Sequence, residues 1–167
     1  NGGNHFAAIQ FVGDVVAFLK HTTDAFFDFM HCLVANIDVI DTNGKTMMGI
    51  SPEEAYQHLD SLAVSPIAMG ANCGLGPTES VMSLSAISDV MKPNAVIVAK
   101  ANCGVPEFSD GEFKFTGTPE LMGKYARMAR DCGARIIGGC CGSDGTIVKA
   151  IKESLDGYTP GPKPSNE

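Results

Sequence analysis

Basic residues are in short supply: 12 lysines and arginines stand against 19 aspartates and glutamates, a net charge of -7. Nucleic acids and anionic membranes are bound through basic patches, so this balance points to small-molecule ligands instead. No apolar run approaches the roughly 20 residues that a transmembrane helix needs. The first residues lack the basic start and small-residue cleavage pattern of a secretory signal, and a cytoplasmic protein is expected. The chain opens on Asn1 rather than Met, which suggests a processed or trimmed start, or part of a longer chain. Glutamate is missing before Glu53, while Phe6, Phe11, Phe18, Phe26, Phe27 and Phe29 crowd the same region. Residues 1–32 therefore stand apart as a phenylalanine-rich segment in which no chemistry is evident. Gly74-Leu75-Gly76-Pro77-Thr78 precedes a helix, where anions are often bound. It has neither the Gly-Lys-Ser/Thr ending of a P-loop nor the glycine spacing of a dinucleotide motif, which weighs against a phosphate cradle.

What is present is a chain of 167 residues, 44% hydrophobic and 19% charged, enough for one core and short for two. From residue 33 onward, apolar runs alternate with helical patterns. Strands are expected over 33–40, 66–72, 95–101 and 134–138. Ser51-Pro52-Glu53-Glu54 combines an N-cap, a first-turn proline and early acids, opening a helix to about residue 62. Further helices are expected over 78–91, from Thr118 to about 132, and over 146–155. Residues 106–117 read as a loop, and residues 158–167, with Pro160, Pro162 and Pro164, as an extended tail. Successive strand-helix units predict parallel strands joined by right-handed crossovers. The fold class expected is α/β, the C-terminal part of a (β/α)8 TIM-type barrel, because a whole barrel takes about 250 residues. Residues 33–157 would form this half-barrel.

Cys32, Cys73, Cys103, Cys132, Cys140 and Cys141 make an even number of thiols, yet the chain is larger than most disulfide-stapled domains. Cys73, Cys103 and Cys140 fall at the C-terminal ends of expected strands, the active face of a barrel. Two adjacent cysteines on a regular strand point to opposite faces, so Cys140 and Cys141 share a partner only where the backbone turns. The flanking Gly138, Gly139 and Gly142 permit that turn. Cys73, in Gly70-Ala71-Asn72-Cys73-Gly74, has a similar setting. One metal site made of Cys73, Cys140 and Cys141 is one reading; buried or redox-active thiols are the other, since no short motif fixes the geometry. Zinc held by three thiolates keeps a fourth position open, as catalytic sites do. A substrate thiol entering there would lose its proton and remain nucleophilic, which suits transfer of an alkyl group to sulfur.

Cys103 is expected to be a pocket wall, and Cys32 and Cys132 small core residues. His5, His21, His31 and His58 show no ligand spacing, and Asp41 fits an Asx-turn with Asn43 and Gly44.

Three stretches carry a resemblance: Gly70-Ala71-Asn72-Cys73-Gly74-Leu75-Gly76-Pro77, Gly138-Gly139-Cys140-Cys141-Gly142, and residues 41–49. Together they resemble the zinc-dependent homocysteine S-methyltransferase family. Residues 100–108 and 117–122 are most similar to its bacterial betaine:homocysteine methyltransferases, and next to the homocysteine-binding domain of cobalamin-dependent methionine synthase. The resemblance spans roughly residues 33–164. It implies a (β/α)8 barrel, zinc on Cys73, Cys140 and Cys141, and a homocysteine pocket lined by Gly70 and Asn72. The implied product is methionine, with betaine the favoured donor. Residues before 33 do not match the family strands that carry the donor pocket, and no glutamate there can hold the substrate amine. The expectation is a chain that self-associates or needs a missing N-terminal half to be active.

Overall fold

A computed structural model describes residues 34–38, 44–46, 48–63 and 66–165. Its main sheet contains β1 (Val34–Asp38), β2 (Ala68–Cys73), β3 (Ile97–Ala101) and β6 (Ala134–Gly139), in the order β1-β2-β3-β6. All three pairings are parallel. Helices α1 (Pro52–Asp60), α2 (Pro77–Val90), α3 (Pro119–Asp131) and α4 (Gly145–Leu155) follow these strands in turn. Strand, crossover helix, parallel strand is the expected repeat, and each observed boundary lies within a few residues of the one expected.

The helix starts explain why the boundaries were legible. Ser51 accepts from the Glu54 N–H while the Glu54 side chain accepts from the Ser51 N–H, a capping box ahead of α1. Thr118 caps α3 by accepting from Leu121 N. The Asp144 carboxylate caps α4, taking both Thr146 N and Ile147 N at 2.9 Å. Pro52, Pro77 and Pro119 each fill a first-turn position, where the missing N–H costs nothing.

The core lies between sheet and helices. Ile97, Ala99 and Ala101 of β3 are completely buried, as are Leu84 and Ile87 of α2 and Met122 of α3. β2 is buried along Ala68–Asn72, which matches its unbroken apolar sequence and coverage on both faces. Tyr125, buried in α3, accepts a hydrogen bond from Ala101 N at 3.0 Å and so pins the C-terminal end of β3. Tyr125→Phe leaves that N–H buried without its partner. We expect it to cost about 1–3 kcal/mol, read as a lower urea midpoint at unchanged m-value.

Two expectations need correction. Residues 106–117 are not simply loop: β4 (Pro106–Ser109) and β5 (Glu112–Phe115) form an antiparallel hairpin. Its turn is Asp110-Gly111, with φ of 57° and 83°, the left-handed pair favoured in two-residue hairpins. The signal was present in the sequence but hidden by the shortness of both arms and by Pro106. Among the described residues the tail after α4 carries no helix or strand, and it is tied down rather than free. Tyr158 Oη donates to the Asp131 carboxylate at 3.0 and 3.1 Å, and Gly161 N donates to the same group at 2.7 Å. Lys163 pairs with Asp89 of α2, so the tail crosses from α3 to α2.

Candidate metal centre

β2 ends on Cys73, whose φ is +56°, followed by Gly74 at +75°. Two consecutive left-handed residues turn the chain sharply, and for a cysteine this conformation is disfavoured by about 1 kcal/mol or more. Asn102, 5% exposed, holds the turn in place. Its Nδ2 donates to Gly74 O at 2.7 Å, and its Oδ1 accepts from the Cys73 thiol at 3.1 Å.

β6 ends on Gly139, and the next residues turn within Cys140-Cys141-Gly142. Cys140 N donates to Ala101 O at 2.8 Å, Cys103 N donates to Cys141 O at 2.9 Å, and Ser143 N donates to Cys140 O at 3.1 Å. Ala101 is therefore a hinge point between core and site, since its N–H is tied to Tyr125 and its carbonyl to Cys140.

These two turns bring three thiols together. Cys73 Sγ and Cys141 Sγ are 3.7 Å apart, and Cys140 Sγ and Cys141 Sγ are 3.8 Å apart. All three sulfurs lie within 4.8 Å of one another. Zinc–sulfur bonds of about 2.3 Å in a tetrahedron place the sulfurs roughly 3.8 Å apart. A disulfide would need about 2.05 Å, and all three thiols are free. The donor set, three soft sulfurs converging with a side left open, fits a zinc ion. Burial first, then the neighbouring Cys140 and Cys141, pushes the Cys73 thiol up to about 12. Cys140 is raised as well, again mainly by burial. At neutral pH the metal-free Cys73 and Cys140 thiols hold their protons, and a divalent cation must displace them to bind.

The other residues singled out in the sequence lie as follows. Gly70 pairs with Val98 in the β2–β3 register, and a Cβ on it would run into the Val98 backbone carbonyl. Asn72 is buried next to Cys73. Cys103 is 2% exposed and packs under Gly117, where a Cβ would sit 2.7 Å from its sulfur. Cys132 is buried with its thiol toward Val81 O. Neither joins the cluster. His58 is exposed in the last turn of α1. Asp41, Cys32, His5, His21, His31 and the segment 1–32 lie outside the described residues.

Asn102 is the site residue that sequence reasoning passed over. The signal was a repeat: Ala71-Asn72-Cys73-Gly74 and Ala101-Asn102-Cys103-Gly104 share one tetrapeptide on neighbouring strands. Register separates their roles. Cys73 pairs with Ala101, so the second copy lies two residues further along. Asn102 thereby reaches the Cys73 turn, while Cys103 passes into the core.

A profile of the homocysteine S-methyltransferase family matches residues 12–155. The chain belongs to this family. The match begins inside the phenylalanine-rich segment rather than at residue 33, a correction to the extent expected from motifs. Among curated relatives, betaine–homocysteine S-methyltransferase 1 of Rattus norvegicus is 26% identical over 169 residues, covering 83% of this chain and 41% of the relative. The protein of the same name from Xenopus laevis is 28% identical over the same length and coverage. The chain thus spans about two fifths of the length of the relatives it matches. With family membership, the parallel strand-helix units are recognised as the C-terminal part of a (β/α)8 barrel. The three thiols then sit at its C-terminal face, at the end of β2 and in the turn directly after β6. No helix among the described residues is long and apolar enough to cross a membrane.

Proposed function

We propose that this chain contributes the thiol-activating half of a zinc-dependent enzyme that methylates homocysteine to methionine, with betaine as the favoured donor, in the cytoplasm. The observation that carries the reading is the convergence of the Cys73, Cys140 and Cys141 sulfurs within 4.8 Å, with Cys141 at 3.7 and 3.8 Å from the other two, in a member of the homocysteine S-methyltransferase family. Zinc held by these thiolates supplies an open position where a substrate thiol gives up its proton. The chain's own residues do the rest. Thiolates from Cys73, Cys140 and Cys141 around a dication would leave the site net negative, so a substrate sulfur there would keep the electron density needed to attack a methyl group. Asn102 holds the Cys73-Gly74 turn against β3, and Ala101 holds Cys140, so the ligands are set before substrate arrives. Gly70 and Asn72 lie on β2 just before Cys73 and border the homocysteine pocket in this proposal. In the transfer itself, a sulfur–carbon bond forms as the donor's nitrogen–carbon bond breaks, and the leaving tertiary amine keeps the electron pair.

Homocysteine added to the zinc-loaded chain should release a proton, because a thiol with a pKa of about 8.5 is mostly protonated at neutral pH until it is ligated. Calorimetry in buffers of different ionisation enthalpy measures that proton. Equal heats in all buffers would count against direct coordination.

A second reading is a non-catalytic, zinc-binding half-barrel that needs a partner chain to complete its sheet. It is favoured by β6, which has no strand on its outer side among the described residues and carries Ile136 exposed. Edges of this kind invite pairing. Assaying methionine formation over a range of chain concentrations, with sizing by ultracentrifugation, separates the readings. Methionine formed once chains associate supports the enzyme reading, zinc bound with no methionine formed at any concentration supports the non-catalytic half-barrel, and turnover by a compact monomer at about 1 per second or faster would overturn the incomplete-chain premise of both.

A further inference from the structure

We propose that Phe115 is a positioning residue for the metal centre. Its ring, delivered by the β4–β5 hairpin, packs on Gly142 and holds the Cys141 turn in the shape that brings that thiol to Cys73. The inference rests on the metal reading above and adds a residue that neither motif nor family membership assigns.

Gly142 has a φ of +76° and directly follows Cys141. A Cβ built on Gly142 would collide with Cγ, Cδ2 and Cβ of Phe115, so the Phe115 side chain packs directly against the glycine. Glycine enters and leaves the left-handed region freely. The conformation that aims Cys141 is therefore not enforced by Gly142 and needs a restraint from outside. Backbone hydrogen bonds supply it at Cys140 and Cys141, through Ala101 and Cys103. On the Gly142 side, the contact is the Phe115 ring.

The hairpin is built to hold that ring still. Val105 N donates to Thr116 Oγ1 at 3.1 Å, Thr116 N donates to Val105 O at 3.2 Å, and Gly117 N donates to Cys103 O at 2.9 Å. Phe115 therefore sits one residue from a closed clamp, and the same Cys103 that closes it also holds the Cys141 carbonyl. β4 is exposed along its whole length, with Phe108 68% exposed, whereas Phe115 turns inward and packs on the core. Beside it lies a cavity of about 320 Å³ lined by Phe115, Gly142, Cys103, Asp144 and Thr146, among others. Removing the ring would enlarge this space and give the turn somewhere to relax.

The test uses the full chain loaded with cobalt(II) in place of zinc, whose d–d and sulfur-to-cobalt absorption bands report coordination geometry and thiolate number. Phe115→Ala should shift those bands and lower zinc affinity about 10- to 100-fold, the effect typical of residues that orient metal ligands. Phe115→Leu keeps an apolar group over Gly142 without the flat ring and should give an intermediate shift. Phe108→Ala, on the exposed part of the same hairpin, should match the unaltered chain in both readouts. If the alanine variant does not fold, by far-UV circular dichroism, the leucine variant decides alone. Bands and affinity unchanged on replacing Phe115 would overturn the inference while leaving the metal reading intact. Failure of the unaltered chain to bind cobalt or zinc would overturn both.

Discussion

Cys73→Ser and Cys140→Ser are each expected to lose zinc, while Cys103→Ser and Cys132→Ser should keep about one zinc per chain. The first pair removes a sulfur from the cluster in which all three Sγ atoms lie within 4.8 Å. A serine hydroxyl does not ionise near neutral pH and is a harder donor, so it does not replace a thiolate. Structural zinc sites bind with roughly 10–16 kcal/mol shared among four ligands. One ligand is then worth about 3–4 kcal/mol, several hundredfold in affinity. Cys103 and Cys132 are both 2% exposed and lie away from the cluster, so their exchange touches packing alone. Metal analysis after dialysis reads the result. Normal zinc in Cys73→Ser together with loss in Cys103→Ser would refute the ligand assignment. The same titration should depend on pH. The Cys73 thiol is pushed up to about 12 and Cys140 is raised too, so the metal competes with protons. Affinity is expected to climb with pH through the neutral range, by up to about a hundredfold per unit as the Cys73 and Cys140 protons leave.

The second large effect is expected at Gly70. A Cβ there would fall on the carbonyl oxygen of Val98, the residue paired with Gly70 across the β2–β3 ladder. Backbone cannot swing aside as a flexible side chain would, so Gly70→Ala must push two central strands apart. Overpacking a core usually costs about 1–3 kcal/mol, and more where nothing yields; we expect about 3 kcal/mol or more here. The loss should appear as a lower melting temperature. It should also weaken zinc binding, because β2 carries Cys73 and the β2–β3 spacing sets the reach of Asn102 to Gly74. A variant with unchanged melting temperature and zinc affinity would show that the strands can separate without consequence. Its role beside a ligand, implied by family resemblance, is a separate matter: the sheet requires glycine at this position whatever the pocket holds.

How far the sequence carries depends on whether a feature is local. Ser51-Pro52-Glu53-Glu54, Thr118-Pro119 and Asp144 mark helix starts because caps act within four residues, and the structure shows each cap made. The apolar runs of β2 and β3 announced buried parallel strands for the same reason. The hairpin was legible in Asp110-Gly111 but outweighed by Pro106 and by arms of only four residues each. Cys73, Cys140 and Cys141 were identifiable as candidates because strand ends of parallel units gather on one face, and family motifs pointed to the same residues.

What only the tertiary structure decided is who meets whom across strands. Two identical tetrapeptides, at 71–74 and 101–104, differ in fate because the β2–β3 register sets Cys73 against Ala101. One cysteine joins the thiol cluster, the other supports the Cys141 turn through its backbone, and Asn102 becomes the clamp on Cys73. Gly70 facing Val98 and Phe115 facing Gly142 are likewise contacts between segments far apart in the chain. Propensity and periodicity act along the backbone and decide which elements form. Register and packing act between elements, and they alone decide which side chains complete the site.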